Sequence, residues 1–159
     1  MVGPPREYGE ATKPMTTETF KKPVPNPEFP EMTEPFWEAT KRHELVIPHC
    51  AWCNHYFWYP RQNCPFCLRT DWTWEKVSGH GRVYSFTVVR QPVNPAFNPD
   101  VPYAYAIIEL DEGVRMISNI VNCKVPDEVQ INMPVQAVFE ERVGGEGNES
   151  WTLVMFRPA

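Results

Sequence analysis

The chain has 159 residues, 42% hydrophobic and 13% aromatic, which suffices for one folded core and excludes a wholly disordered protein. Its net charge of −5 and pI near 5.4 argue against a nucleic-acid reader, because such domains carry a basic footprint. No apolar run approaches the length of a membrane span, and the start MVGPPREYGE lacks the basic and apolar regions of a secretory signal, so a reducing cytoplasm is the expected compartment.

Residues 1–30 hold seven prolines and almost no apolar periodicity, and read as an extended arm. The stretch PEMTEPFWEATKRHEL follows. Thr33 is expected as the N-cap of a short helix within 31–44, with Glu34 in its first turn and Pro35 tolerated there. Phe36, Trp37 and Thr40 would share one side of that helix, and Lys41 and Arg42 would sit near its C-terminal end.

Residues 45–74 carry four of the five cysteines. Cys50-Ala-Trp-Cys53 and Cys64-Pro-Phe-Cys67 are ten residues apart. Two such knuckles allow a hairpin to converge four soft thiolates on one tetrahedral ion, and zinc is the ion that this donor set favours. LVIP and YFWYP, on either side of the first knuckle, suit short strands of a ribbon hairpin. Asn54 tolerates the left-handed backbone that a knuckle turn often needs. With all four positions filled by cysteine the site is closed, whereas a catalytic zinc keeps a vacant position, so the metal is read as structural. Structural zinc contributes about 10–16 kcal/mol of apparent folding energy in comparable small domains. A rubredoxin-like iron centre or a redox dithiol is the alternative.

His49 and His55 flank the first knuckle and are read as core-edge or exposed side chains. Cys123 reads as a buried, inert thiol, and no nucleophile–base spacing, GxGxxG or P-loop is present. From residue 75 onwards the pattern changes to β alternation. GRVYSFTVVRQ, YAYAIIELD, VRMISNIVN, VQAVFEER and SWTLVMFRP give five strands, with Asp111-Glu112-Gly113 as a tight hairpin and Gly144, Gly145, Gly147 and Asn148 as a turn before the last. The segment VPDEVQINMP connects the third and fourth. The expected fold is mainly β: an N-terminal helical arm, a rubredoxin-like zinc ribbon and, over 75–159, a five-stranded OB-fold barrel.

In that order, FWEA, LVIPHCAWCNHYFWYPRQNCPFC, GHGRVYSFTVVR, PYAYAIIELDEGVRMISNIV and INMPVQAVFEE resemble the DUF35 family over about residues 32–157. Asn132 stands where that family often has glycine. The resemblance implies an accessory, hetero-oligomeric subunit of a thiolase-like enzyme that performs Claisen cleavage or condensation on acyl-CoA thioesters. Acetoacetyl-CoA thiolase complexes and benzoylsuccinyl-CoA thiolase are examples within its scope. An acyl-CoA aldolase acting on steroid side chains, or an acyltransferase as in phloroglucinol synthesis, is the alternative partner. Catalysis would lie on the partner, while this chain helps to hold coenzyme A or its acyl thioester. The metal ligands would be Cys50, Cys53, Cys64 and Cys67. Arg61 and Arg90 are the candidates for coenzyme A phosphates or a carboxylate, against the plainer role of solvated surface charge. Trp37, Trp52, Phe57, Trp58 and Tyr59 are the candidates for an interface, against packing between ribbon and barrel. A single-strand nucleic-acid-binding OB module and an electron carrier are the lower-ranked readings.

Overall fold

The structure, a computed structural model, describes residues 22–27, 29–125, 128–143 and 150–159. Most of the proline-rich arm, and the turn expected at Gly144–Asn148, lie outside the described residues. Helix α1 (Pro30–Lys41) leads into three short strands, β1 (Val46–Cys50), β2 (His55–Tyr56) and β3 (Trp72–Lys76). Five longer strands follow: β4 (His80–Val89), β5 (Tyr103–Leu110), β6 (Arg115–Ile120), β7 (Pro134–Val143) and β8 (Ser150–Pro158).

Helix α1 begins earlier than the sequence suggests. Its N-cap is Phe29, with no side-chain cap, and Pro30 supplies the pre-set φ of a first helical residue. Thr33 is therefore inside the first turns, where its hydroxyl donates to the Phe29 carbonyl at 3.0 Å. Phe36, Ala39 and Thr40 are the buried residues of the helix and Trp37 is half-buried. The helix ends where His43 takes φ 58 and its N–H reaches the Thr40 carbonyl at 2.8 Å. The His43 ring stacks on Phe139 of β7 at 5.3 Å, which ties that end to the barrel.

The small sheet has the order β2-β1-β3, both pairs antiparallel. Two features of it depart from the sequence reading. Only His55 and Tyr56 of the aromatic run are strand: the Phe57 N–H still reaches the Pro48 carbonyl at 3.0 Å, but Pro48 has no N–H to donate in return and the ladder ends there. The main partner of β1 is β3, paired over five positions from Val46↔Lys76 to Cys50↔Trp72, a strand not expected from sequence.

The five longer strands close as β4-β5-β6-β8-β7, with β7 returning to β4. All five coincide with the alternating segments. In β5 the small or apolar Ala104, Ala106, Ile108 and Leu110 point in, while Tyr105 points out. Gly113 at φ 82 makes the hairpin to β6, which an L side chain would enter only with strain. Asn132 takes φ 63, so asparagine does here what glycine would do at no steric cost. Gly81 admits no side chain, since a Cβ there would lie 2.5 Å from the Glu109 carbonyl oxygen on β5.

One apolar core joins the parts. Phe36 and Ala39 of α1, Leu45 and Ile47 of the ribbon, and Ile108 and Phe156 of the barrel belong to the same buried cluster. The Phe36 ring lies 5.0 Å from Trp37, 5.1 Å from Trp58 and 6.2 Å from Trp74, so helix and ribbon are pinned through it. No helix among the described residues is long and apolar enough to cross a membrane.

Candidate functional site

The two knuckles fold as near repeats. In the first, the Asn54 N–H bonds the Cys50 carbonyl at 2.8 Å; in the second, the Leu68 N–H bonds the Cys64 carbonyl at 2.9 Å. Asn54 and Leu68 hold the matching left-handed positions, φ 57 and φ 62. The sequence pointed to Asn54 but not to Leu68, because leucine rarely adopts that conformation. The turns bring the sulfurs of Cys50, Cys53, Cys64 and Cys67 all within 4.8 Å of one another. Cys50 and Cys67 are 3.6 Å apart, as are Cys53 and Cys64.

That geometry fits a tetrahedral ion. A zinc–sulfur bond of about 2.3 Å separates neighbouring sulfurs by about 3.8 Å, close to the spacing found. Cys50 and Cys64 are buried, and Cys53 and Cys67 half-buried. Backbone N–H groups of Cys53 and Trp52, turned toward the Cys50 sulfur, bring its pKa down to about 6. Burial and then the Cys50 thiol push Cys53 up to about 12. Four sulfur donors crowded together in this way form a set that a bound cation would relieve. Among the described residues no other group of three or more His, Cys, Asp or Glu side chains converges in this way.

The flanking histidines are engaged elsewhere. His49 Nδ1 meets Glu75 Oε1 at 2.7 Å and its Nε2 meets Asn54 Oδ1 at 3.0 Å, which braces the first knuckle against β3. His55 Nδ1 meets the Cys53 carbonyl at 2.7 Å, and its ring stacks on Phe66 at 4.5 Å. Tyr56 donates to Glu75 Oε2 at 2.9 Å. This phenol and then His49 hold the Glu75 carboxyl below its ordinary range. Cys123 is half-buried, and burial raises its thiol further from the reactive range.

The aromatic candidates divide into two groups. Phe57 is buried, with its ring 5.6 Å from Trp72, and Trp37 and Trp58 are half-buried around Phe36, so these three pack the molecule. Trp52 is 64% exposed and Tyr59 53%. Two further side chains on the second knuckle, Phe66 at 59% and Leu68 at 74%, are exposed as well. Sequence reasoning missed both, because knuckle residues read as metal scaffolding. The Arg69 guanidinium lies 3.5 Å from the Trp52 ring centroid and holds that ring at the surface. Both knuckles thus present a large apolar side chain outward beside the sulfur cluster.

Arg61 and Arg90 are both exposed and are not brought together. Arg61 faces a shallow groove shared with Phe66, Glu109 and Arg115. Arg90 follows Val89, which pairs with Tyr103 at the other end of β5. Six residue steps along the strand separate Tyr103 from Glu109, about 20 Å at 3.3 Å per step. Glu109, on the groove wall, takes Arg82 at 2.6 Å and Arg115 at 2.8 Å, so one carboxylate is shared between two guanidiniums and the trio keeps a net positive charge.

Comparison with known proteins agrees with this architecture. The ChsH2 rubredoxin-like zinc ribbon domain matches residues 37–73, and the ChsH2 C-terminal OB-fold domain matches residues 74–140. The chain is 40% identical over 116 residues to a DUF35 domain-containing scaffold protein of Methanocaldococcus jannaschii, covering 71% of this chain and 79% of that one. It is 37% identical over 147 residues to a probable enoyl-CoA hydratase alpha subunit of Thermomonospora curvata, covering 91% of this chain. It spans only 44% of that longer relative. Among solved structures, a chain of an Ltp2-ChsH2(DUF35) aldolase superposes with a TM-score of 0.70 at 36% identity, over 84% of this chain and 98% of that one.

Proposed function

This chain belongs to the DUF35 family of zinc-ribbon and OB-fold proteins, and we propose that it is a zinc-clamped accessory subunit of a thiolase-type enzyme acting on acyl-CoA thioesters. One observation carries the reading: the apolar side chains of Trp52, Phe66 and Leu68 stand exposed around a sulfur cluster that has no vacant ligand position. Large apolar side chains held outward at the tips of a rigid clamp suit a docking surface. A closed four-thiolate site supplies a crosslink and not a reaction centre. The names of the relatives, a scaffold protein, a hydratase alpha subunit and an aldolase complex, support a role beside another chain.

In this reading Cys50, Cys53, Cys64 and Cys67 hold structural zinc, which, when bound, fixes the two knuckles relative to each other. The knuckles present Trp52, Phe66 and Leu68 to the partner, which performs the Claisen cleavage or condensation. Arg61, which lines a groove together with Phe66, would in this reading meet the phosphates of a coenzyme A arm at the edge of that contact. Arg90, at the far end of β5, belongs to any second contact and not to the same phosphate. The similarity to the Ltp2-ChsH2(DUF35) aldolase favours a second reading, in which the partner performs a retro-aldol cleavage of an acyl-CoA.

The test is co-expression with the thiolase-fold chain and substitution of the docking face. Trp52→Ala with Leu68→Asp should weaken association at least about tenfold while the zinc content stays at one per chain. Unchanged association of that double variant would sink the docking face.

A further inference from the structure

The barrel is closed unevenly, and the weak place in its wall opens into a cavity. Strands β6 and β8 run parallel and pair at a single position, Ile120↔Phe156. Upstream of that pair the seam is spanned by a side chain: the Ser118 hydroxyl donates to the Val154 carbonyl at 2.8 Å. Here lies a cavity of about 410 Å³, within the range of about 300–1,000 Å³ that small-molecule sites occupy.

Its walls come from three separate parts of the fold. Phe36 and Trp37 of α1 form one side, Trp58 and Tyr59 of the ribbon another, and Met116 and Leu153 of the seam strands the floor. The lining is overwhelmingly apolar and aromatic. One cation enters it, Arg142 of β7, whose side chain is only 15% exposed. Among the described residues its carboxylate partner is Glu140, at a long 3.4 Å, and that carboxylate is itself 48% exposed. Phe97 is the aromatic neighbour of the guanidinium, its ring centroid 6.0 Å away. The neighbouring Asp100 is already committed to Lys22 at 2.7 Å.

Among the described residues, then, this mostly buried arginine has only a long contact to a half-exposed carboxylate as its anionic partner. An incoming carboxylate would supply a closer anion in the bidentate geometry arginine favours, with its apolar body against the aromatic walls. We infer that the cavity at the β6–β8 seam is a binding site for a small organic acid with an apolar body, its carboxylate on Arg142. This site lies on the chain itself, goes beyond the accessory role and does not depend on it.

The zinc-loaded full chain tests this without a partner, using octanoate and 1-octanol as probes of equal length. Calorimetric titration, followed in parallel by the fluorescence of the wall tryptophans Trp37 and Trp58, should show octanoate binding about tenfold more tightly than octanol. Arg142→Gln should abolish the preference and leave octanol affinity unchanged. Ile117, which lines the cavity and is partly exposed, accepts a larger side chain, so Ile117→Trp should fill the space and remove binding of both. Arg142→Lys serves if the glutamine variant fails to fold, and should retain a reduced preference for the acid. No binding of octanoate, equal binding of acid and alcohol by the natural chain, or a preference that survives Arg142→Gln would each overturn the assignment.

Discussion

At the scale of single residues, the four thiols and one carboxylate carry the most consequence. Cys50 and Cys64 are buried beside Phe57, so replacing either by serine leaves a polar group in a sulfur cluster and breaks the metal shell. Cys64→Ser should lose zinc and give unfolded or insoluble protein, measured by metal content and circular dichroism; a variant that folds as before without zinc would contradict the structural role. Glu109 is held below the ordinary glutamate value, first by Arg82 and then by Arg115. A carboxyl depressed in the folded state adds stability above its unfolded pKa and loses it as the pH falls through the folded one. Glu109→Gln should therefore lower Tm by a constant margin near neutral pH, and the margin should close below the ordinary value of 4.5. Thermal melts of both proteins down that acid limb measure it, and a margin that stayed constant throughout would remove the ion-pair explanation. The cysteines and Asn54 were legible in the sequence, because ligand spacing and left-handed tolerance are local properties. Leu68, Phe66 and Arg142 were not, since exposure and the lining of a cavity depend on contacts far apart in the chain.

At the scale of elements, local alternation found every barrel strand, and the hairpin at Gly113 was readable from its three residues. Strand β3 escaped because its partner β1 lies more than twenty residues earlier, across both knuckles, and nothing in Trp72–Lys76 alone announces that pairing. Helix α1 began before its expected cap, since Pro30 can open a helix without a capping side chain. Two substitutions test how the elements hold each other. Phe36→Ala removes the ring on which Trp37, Trp58 and Trp74 converge, and should cost about 3–5 kcal/mol in denaturant unfolding. A loss below about 1 kcal/mol would mean that helix and ribbon are secured some other way. Gly81→Ala drives a methyl group into the β5 backbone, with the Leu110 Cα also only 3.0 Å away. Backbone cannot rotate aside as a side chain does, so a loss of about 1–3 kcal/mol is expected.

At the scale of the whole molecule, a shared core makes ribbon, helix and barrel one platform, with the apolar knuckle tips on its outside. An acidic chain is a poor match for nucleic acid, although the barrel architecture alone would permit it. The sequence resemblance carried the platform's architecture; which of its aromatics face outward needed the three-dimensional arrangement. The central claim is that this platform completes an acyl-CoA enzyme whose reacting groups lie on a second chain. Reconstitution tests it most directly: the zinc-loaded chain and the proposed thiolase-fold partner are purified separately, mixed, and assayed for cleavage or condensation of an acyl-CoA, with the complex followed by size-exclusion chromatography and light scattering. Each chain alone should be inactive or nearly so, and the mixture should run as one hetero-oligomer with activity restored. A partner fully active by itself, with this chain eluting beside it as a free monomer, would contradict the account.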